Sequence, residues 1–538
     1  MVLKSGSDAR AGQLLDHRKA GQDGGTTRFT RRTMLSAAAA AALAGGEAVA
    51  AAGPKGKIVW AAHISLAPLW FDPADTLGLV TPFMLLYAMH DALIKPMPGT
   101  LAAPSLAASH TVSADGLSHE FALRDGVKFH NGEAVTADDV VFSFQRYRGN
   151  AARFLHSKVA SVETPDPRRV IFRLHKPWMD FLTYYSSVTG AGWIVPRKYV
   201  ERVGDDGFRK APIGAGPYKF VSFDPGVELV LEAFEGYWRK MPSVKTLVFK
   251  VIPDESTRLV ALKQREVDIA YSIRGELAED LKRTPGLALK PVVINSPFWI
   301  YFADQWDPKS PWHDVRLRKA VDLAVDRASI NRALTLGHSP ITNSIVPRSY
   351  EYYWQPPATP YDPAQARALL AEAGFGGGID AGDYFCDSSY GNLGEAVINN
   401  LREVGIRLKL RPIERAAFNK GYTEKKFRNL IQGSSGAFGN AAARMETFVV
   451  KDGAYVHGNY PDIDELFARQ ADEMDRGKRE AILHRMQQLV SERVVYAPIW
   501  QLAFLNGQGS RVEESGLGLI EGHPYSAPYE DVRLKPDA

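Results

Sequence analysis

"LAAPSLAASHTVSADGLSHEFALRDGVKFHNGEAVTADDVVFSFQR", residues 101 to 146, carries two kinds of local structure in one short segment. The part "LSHEFALRDGVKFHNG" reads as short strands and tight turns. Asp125-Gly126 and Asn131-Gly132 are dipeptides that let the backbone turn with positive φ. The part from Thr136 onward reads as a helix. Thr136 stands at the cap with Asp139 three residues on, the arrangement in which each side chain serves the other's backbone N–H. Val140, Val141, Phe144 and Tyr147 then fall on one face.

The same mixture continues outward. "DVRLRKAVDLAVDRASI" opens on Asp314 as a cap and keeps Leu317, Ala320, Val321, Ala324 and Val325 at helical spacing. "YDPAQARALLAEAGF" has Asp362 as cap, Pro363 at the first helical position and Gly374 as the stop. "KREAILHRMQQLVSERV" repeats the pattern with Ile482, Met486, Leu489 and Val490. "GIRLKLRPI" alternates Ile406, Leu408 and Leu410 against Arg407, Lys409 and Arg411, a half-exposed strand. "VELVLEAF" and "TLVFKVI" read as more buried strands, and Gly376-Gly377-Gly378 as a loop. Helices packed on sheet make this an α/β chain.

The N-terminus reads differently. In "TRRTMLSAAAAAALAGG", residues 30 to 46, arginines precede an apolar run too short and too weakly hydrophobic for a membrane span, which wants about 20 residues. Small residues follow at Ala48-Val49-Ala50 and Ala50-Ala51-Ala52. This is the layout of a secretory leader, and the paired Arg31-Arg32 look like a twin-arginine signal. The expectation is export to a bacterial periplasm. The formal charge of +4 falls to +1 once the seven basic and four acidic residues of 1–50 are set aside. A basic footprint for nucleic acid is therefore absent. Cys386 is the one cysteine, so stability must come from hydrophobic cores rather than disulfides, and the length allows at least two domains.

Reactive constellations are missing from the sequence. It contains no G-x-S-x-G elbow, no S-x-x-K and no phosphate-cradling G-x-x-x-x-G-K-[ST] loop. "GGGIDAG" follows a helix end rather than a strand and reads as a loop. No two of the thirteen histidines lie within four residues of each other, so helical metal pairs are excluded. Neither a metal, a cofactor nor a catalytic residue is expected.

The 101–146 stretch closely resembles the signature region of the family 5 (peptide/nickel type) extracellular solute-binding proteins of ABC importers. The resemblance continues, in order, through "WFDPADT", "APIGAGPYKFVSFDPGVELVLEAFEGYW", "SPWHDVRLRKAVDLAVDRASI", "YDPAQARALLAEAGF" and "YPDIDELFARQADEMD". It implies an α/β two-lobed periplasmic binding protein of type II, class C, with an extra subdomain in the first lobe. Mapped onto this chain, a signal peptide of 1–52 precedes a first lobe begun by 53–95. The extra subdomain spans 96–205, the first lobe resumes over 206–295, the second lobe runs over 296–500, and 501–538 returns to the first. The implied partners are a small-molecule solute and an inner-membrane ABC permease with its ATPase subunits. The receptor itself is expected to be a monomer.

The resemblance also implies where the solute lies. Peptide-binding relatives hold an extended ligand partly by main-chain bonds after an "LDP" segment, here Phe71-Asp72-Pro73, which puts Thr76, Leu77, Gly78 and Leu79 at that edge. They also carry a "G-W-x-x-D-Y" pattern whose carboxylate pairs with the ligand's ammonium. Here Gly433 is followed by Ser434 in place of tryptophan, then Ser435, with Ala437 in place of aspartate and Phe438 keeping the aromatic. Without that carboxylate a free peptide N-terminus loses its partner. Arg444 is the candidate for an acidic group because its planar fork binds bidentately, with Glu446 close by. Gln305 and Trp306 are placed near the start of the second lobe, Trp306 as an aromatic wall. Several solutes stay open: a peptide, an opine-like conjugate, an oligosaccharide or a metal chelate. A secreted hydrolase and a sensory adaptor are the readings from other classes.

Overall fold

Ten strands make the largest sheet. They are β1 (Lys55–Ala62), β2 (Tyr218–Asp224), β3 (Glu228–Ala233), β4 (Val244–Val251), β5 (Ile269–Ala270), β6 (Ala288–Phe302), β7 (Ile379–Asp387), β8 (Ile406–Ile413), β9 (Leu430–Ser434) and β10 (Tyr496–Gln508). They pair in the order β2-β3-β4-β1-β5-β10-β6-β9-β7-β8. The structure is a computed structural model that describes residues 53–75, 82–149, 151–186, 189–434 and 439–536. The leader expected over 1–52 lies outside the described residues.

Pairing direction divides the sheet into two blocks. β1 runs parallel to β4 and β5, and β7 runs parallel to β8 and β9. Parallel neighbours require crossovers, and helices supply them. Between the blocks β6 and β10 lie antiparallel. β6 has 15 residues, a reach of about 50 Å at about 3.3 Å per residue. Its two halves serve different cores. Val292 packs with Ile58, Trp60, Leu231 and Phe249, whereas Phe298, Ile300 and Phe302 pack with Val321, Leu401 and Ile406. At the changeover the pairing with β10 slips between Val293 and Pro297, and again between Phe298 and Trp299. These are the two lobes and the boundary between them. After β10 the chain returns, and Val512, Ile520, Tyr525 and Tyr529 join the first core.

A third core belongs to the stretch around residues 101–146. Ala107–Val112, Ser118–Leu123, Arg169–Leu174 and Val159–Asp166 form a separate antiparallel sheet, and helix Ala137–Arg146 packs with it. Thr136 and Asp139 make the expected reciprocal cap. Val140, Phe144 and Tyr147 are buried, and Val141 half-buried. Gly126 and Gly132 take φ of +71° and +86°. At the end of that helix Arg146 grips the fully buried Asp72 bidentately and also meets Asp205 at 2.8 Å. His130 Nδ1 accepts from Gly214 N–H at 3.2 Å, so its Nε2 carries the proton donated to Gly216 O at 3.0 Å. Those glycines are obligatory: a Cβ on Gly214 would stand 2.0 Å from the Met89 carbonyl oxygen.

The remaining helices begin where their caps stand. Asp314 and Asp362 accept from Arg316 N–H and Gln365 N–H, and Gly374 takes φ of +91°. Helix Arg476–Glu492 buries Leu483, Met486, Leu489 and Val490, with Ile482 only half-buried. β8 is half-exposed as its alternation implies, and it lies at the sheet's edge. β3 differs from expectation. It lies next to the edge strand β2, so only alternate residues, Leu229, Leu231 and Ala233, are buried.

Candidate functional site

The parallel strands of both lobes aim their carboxyl ends at the boundary, the place where open α/β sheets bind ligands. From the first lobe, β1 leads into His63 and β5 into Tyr271, Ser272 and Arg274. From the second, β7 leads into Tyr390, β8 into Arg415 and β9 into Ser434. Rings line the place. His63 lies 4.5 Å from Tyr525, Tyr271 4.9 Å from Tyr525, and Tyr390 4.8 Å from Phe298. Arg258 closes the strand ends of the first lobe, donating to the carbonyls of Ile252, Pro253, Tyr271 and Ser272 at 2.7–2.8 Å. Burial, then the charges of Arg258, Arg274 and Arg415, push the His63 imidazole down to about 3. His63 is thus neutral and feels cations from both lobes. Tyr390 likewise feels Arg415 and Arg274.

A second flank of the boundary is closed by direct contacts. Asp180, beside the short helix Phe181–Tyr184 of the subdomain, meets Arg479 of the second lobe at 2.7 and 3.1 Å. Asn440 donates to the same carboxylate at 2.5 Å while capping helix Ala441–Phe448. Arg479 is 2% exposed. Beside them Tyr184 OH donates to Glu446 at 3.0 Å, and burial lifts the Glu446 carboxyl above its ordinary value.

The residues expected from sequence separate into three groups. Thr76, Leu77, Gly78, Leu79, Ser435, Ala437 and Phe438 lie outside the described residues. Ser434, Arg444 and Glu446 do reach the region near the boundary. Ser434 is exposed at the end of β9. Arg444 is 1% exposed, with its guanidinium carbon 5.2 Å from the Phe448 ring, 5.6 Å from Tyr350 and 6.0 Å from Trp299. Burial holds its pKa below the usual arginine value. Gln305 and Trp306 are the correction. They follow the far end of β6, away from the boundary. Gln305 donates to Phe302 O and Val495 O, and Trp306 packs 4.5 Å from Tyr460. There they line a separate cavity of about 510 Å³ with Arg318, Lys319 and Arg493. The reason is directional: β6 leaves the boundary at residue 298 and carries the residues after it to the opposite pole.

Sequence reading missed His63, Arg274, Tyr390 and Arg415, because each follows a strand end rather than a motif. Among the described residues no three His, Cys, Asp or Glu side chains are grouped to hold a metal ion, and no helix is long and apolar enough to cross a membrane.

Known proteins share this architecture. The ABC transporter substrate-binding protein CtaP of Listeria monocytogenes superposes with a TM-score of 0.76 at 22% identity, covering 89% of this chain and 99% of that one. It has the two-lobed type II fold with α/β lobes and a subdomain that the resemblance implies. Among sequences, the probable di/tripeptide-binding protein 5 of Pseudomonas aeruginosa is 28% identical over 434 residues, 74% of this chain and 81% of its own. Heme-binding protein A of Haemophilus influenzae is 26% identical over 476 residues, 80% of this chain and 85% of its own. The profile of the bacterial extracellular solute-binding proteins, family 5 middle region, matches residues 102–455, more than half of the chain. A chain with this middle region and two cores facing each other across a pair of long strands belongs to the bacterial extracellular solute-binding proteins of family 5.

Proposed function

We propose that this protein is a periplasmic receptor that encloses one small organic solute between its lobes and hands it, chemically unchanged, to an ABC permease in the inner membrane. The observation that carries the reading is the boundary itself. Two cores are joined by β6 and β10 where their pairing slips, and Asp180 of the subdomain meets Arg479 of the second lobe. Hinge closure about such a slip is the ordinary way a two-lobed protein buries a guest. The leader-like layout of residues 30–52, with Arg31-Arg32 ahead of an apolar run, supports the compartment. Peptide-like solutes are the first choice, since relatives include proteins named for di- and tripeptides. A non-peptide guest is the second reading, favoured by Ala437 where peptide binders of the resembling pattern have an aspartate. Ser434 with the residues to Phe438, Thr76 to Leu79, and Arg444 with Glu446 are the proposed contacts.

Native mass spectrometry of the purified protein tests this. The expected result is one small organic molecule per chain, recovered with its mass unchanged after prolonged incubation. A chain that carries and binds no small molecule, or that returns a cleaved one, overturns the reading.

A further inference from the structure

The strand-end flank of the boundary has a charge pattern of its own. Arg274 comes from the first lobe and Arg415 from the second, and their side chains are 50% and 55% exposed. Each meets one carboxylate through Nε: Arg274 reaches Glu255 at 3.5 Å and Arg415 reaches Asp387 at 2.7 Å. A guanidinium has five N–H donors, so these contacts, together with Arg415's further bond to the Tyr390 hydroxyl, still leave N–H donors on each for something else. Arg258 stands behind them with its bonds on carbonyls and Asp254 near it, so the two arginines in front, one from each lobe, are like charges that each meet a single carboxylate. His63, Tyr525 and Tyr390 wall the same place with rings.

Closing the lobes brings like charges toward each other here. That contact is unfavourable alone and favourable with an anion between, because two forks can then share one acidic group bidentately. We propose that the solute is an anion, a carboxylate-bearing molecule whose acidic group is shared between Arg274 and Arg415, and that this sharing couples its binding to closure. The inference rests on the receptor reading above and names the solute class of that site.

Matched probes test it on the intact mature chain. Acetyl-dialanine and its C-terminal amide, glutarate and glutaramide, and glutathione and its diethyl ester differ within each pair chiefly in acidic charge. Titration followed by tryptophan fluorescence should show the acid of at least one pair binding about tenfold or more tighter than its neutral partner, a gap of about 1.4 kcal/mol. Arg274→Gln and Arg415→Gln should each reduce that preference to threefold or less while leaving the neutral partner's affinity unchanged. Arg415→Lys, which keeps the charge but not the fork, should fall between. Melting temperatures within a few degrees of the parent show that the variants fold. Equal binding within every pair, binding by neither member of any pair, or an unaltered preference in both variants overturns the proposal. A solute carried natively that has no acidic group overturns it too, yet leaves the receptor reading standing. No carried solute and no bound probe removes both.

Discussion

The two flanks of the lobe boundary differ in how their charges are paired across it. On the subdomain side Asp180, Arg479 and Asn440 form a dry, mutually satisfied contact. On the strand-end side Arg274 and Arg415 are half-exposed and alike in sign. The first flank supplies closure from the chain's own residues. The second makes closure depend on what lies between the lobes. A receptor needs both, since a boundary that only attracts would never release its guest.

The largest effect expected comes from breaking the first flank. Asp180→Ala leaves Arg479 without its carboxylate, and a broken buried pair costs about 3–5 kcal/mol. The lobes can avoid that cost by parting, which hydrates the guanidinium. Small-angle scattering should therefore show a larger radius of gyration, and solute affinity should fall by tenfold or more; unchanged values would mean that this flank does not hold the lobes. Acid is the next test, because it should weaken the fold through buried histidines that belong to neither flank. His90 and His130 are pushed from 6.5 down to about 4 and about 3 by burial. Their contribution is fully present above about pH 6.5 and lost as pH falls toward those values, because the unfolded chain binds the protons first. Between pH 6 and 5 each should remove up to about 1.4 kcal/mol. Denaturant unfolding at the two pH values checks the size, and opening of the lobes at pH 5 without loss of stability would contradict it.

Two smaller changes sharpen the contrast. Trp306→Ala should cost about 1–2 kcal/mol through lost packing on Tyr460, yet leave solute affinity as it was, since its cavity is at the far pole. A tenfold loss of affinity would bring that cavity into the binding site. Tyr184→Phe removes one hydrogen bond to Glu446, worth about 1 kcal/mol. Its effect on the radius of gyration should be in the same direction as that of Asp180→Ala and distinctly smaller.

Much of the fold was legible because caps and alternation are local. Thr136 with Asp139, Asp314, and Asp362 with Pro363 mark helix starts that the structure keeps. The alternation of residues 405–413 likewise marked a half-exposed strand. The site was harder to read. Arg274 and Arg415 are 141 positions apart in number and act on the same His63 and Tyr390 only because β5 and β8 end at the same boundary, and no local pattern encodes that. Trp306 shows the converse error: closeness in sequence to the second lobe's beginning says nothing about which pole of a 15-residue strand a residue occupies. Arg444 was singled out for its fork, and burial among Trp299, Tyr350 and Phe448 is a tertiary fact that the sequence near it does not carry.

Tyr525 and Tyr529 complete the first core although the whole second lobe separates them in sequence from β1. Trp60, near the start, packs 5.4 Å from Tyr529. The first lobe therefore has no complete core until residues from both sides of the second lobe have come together.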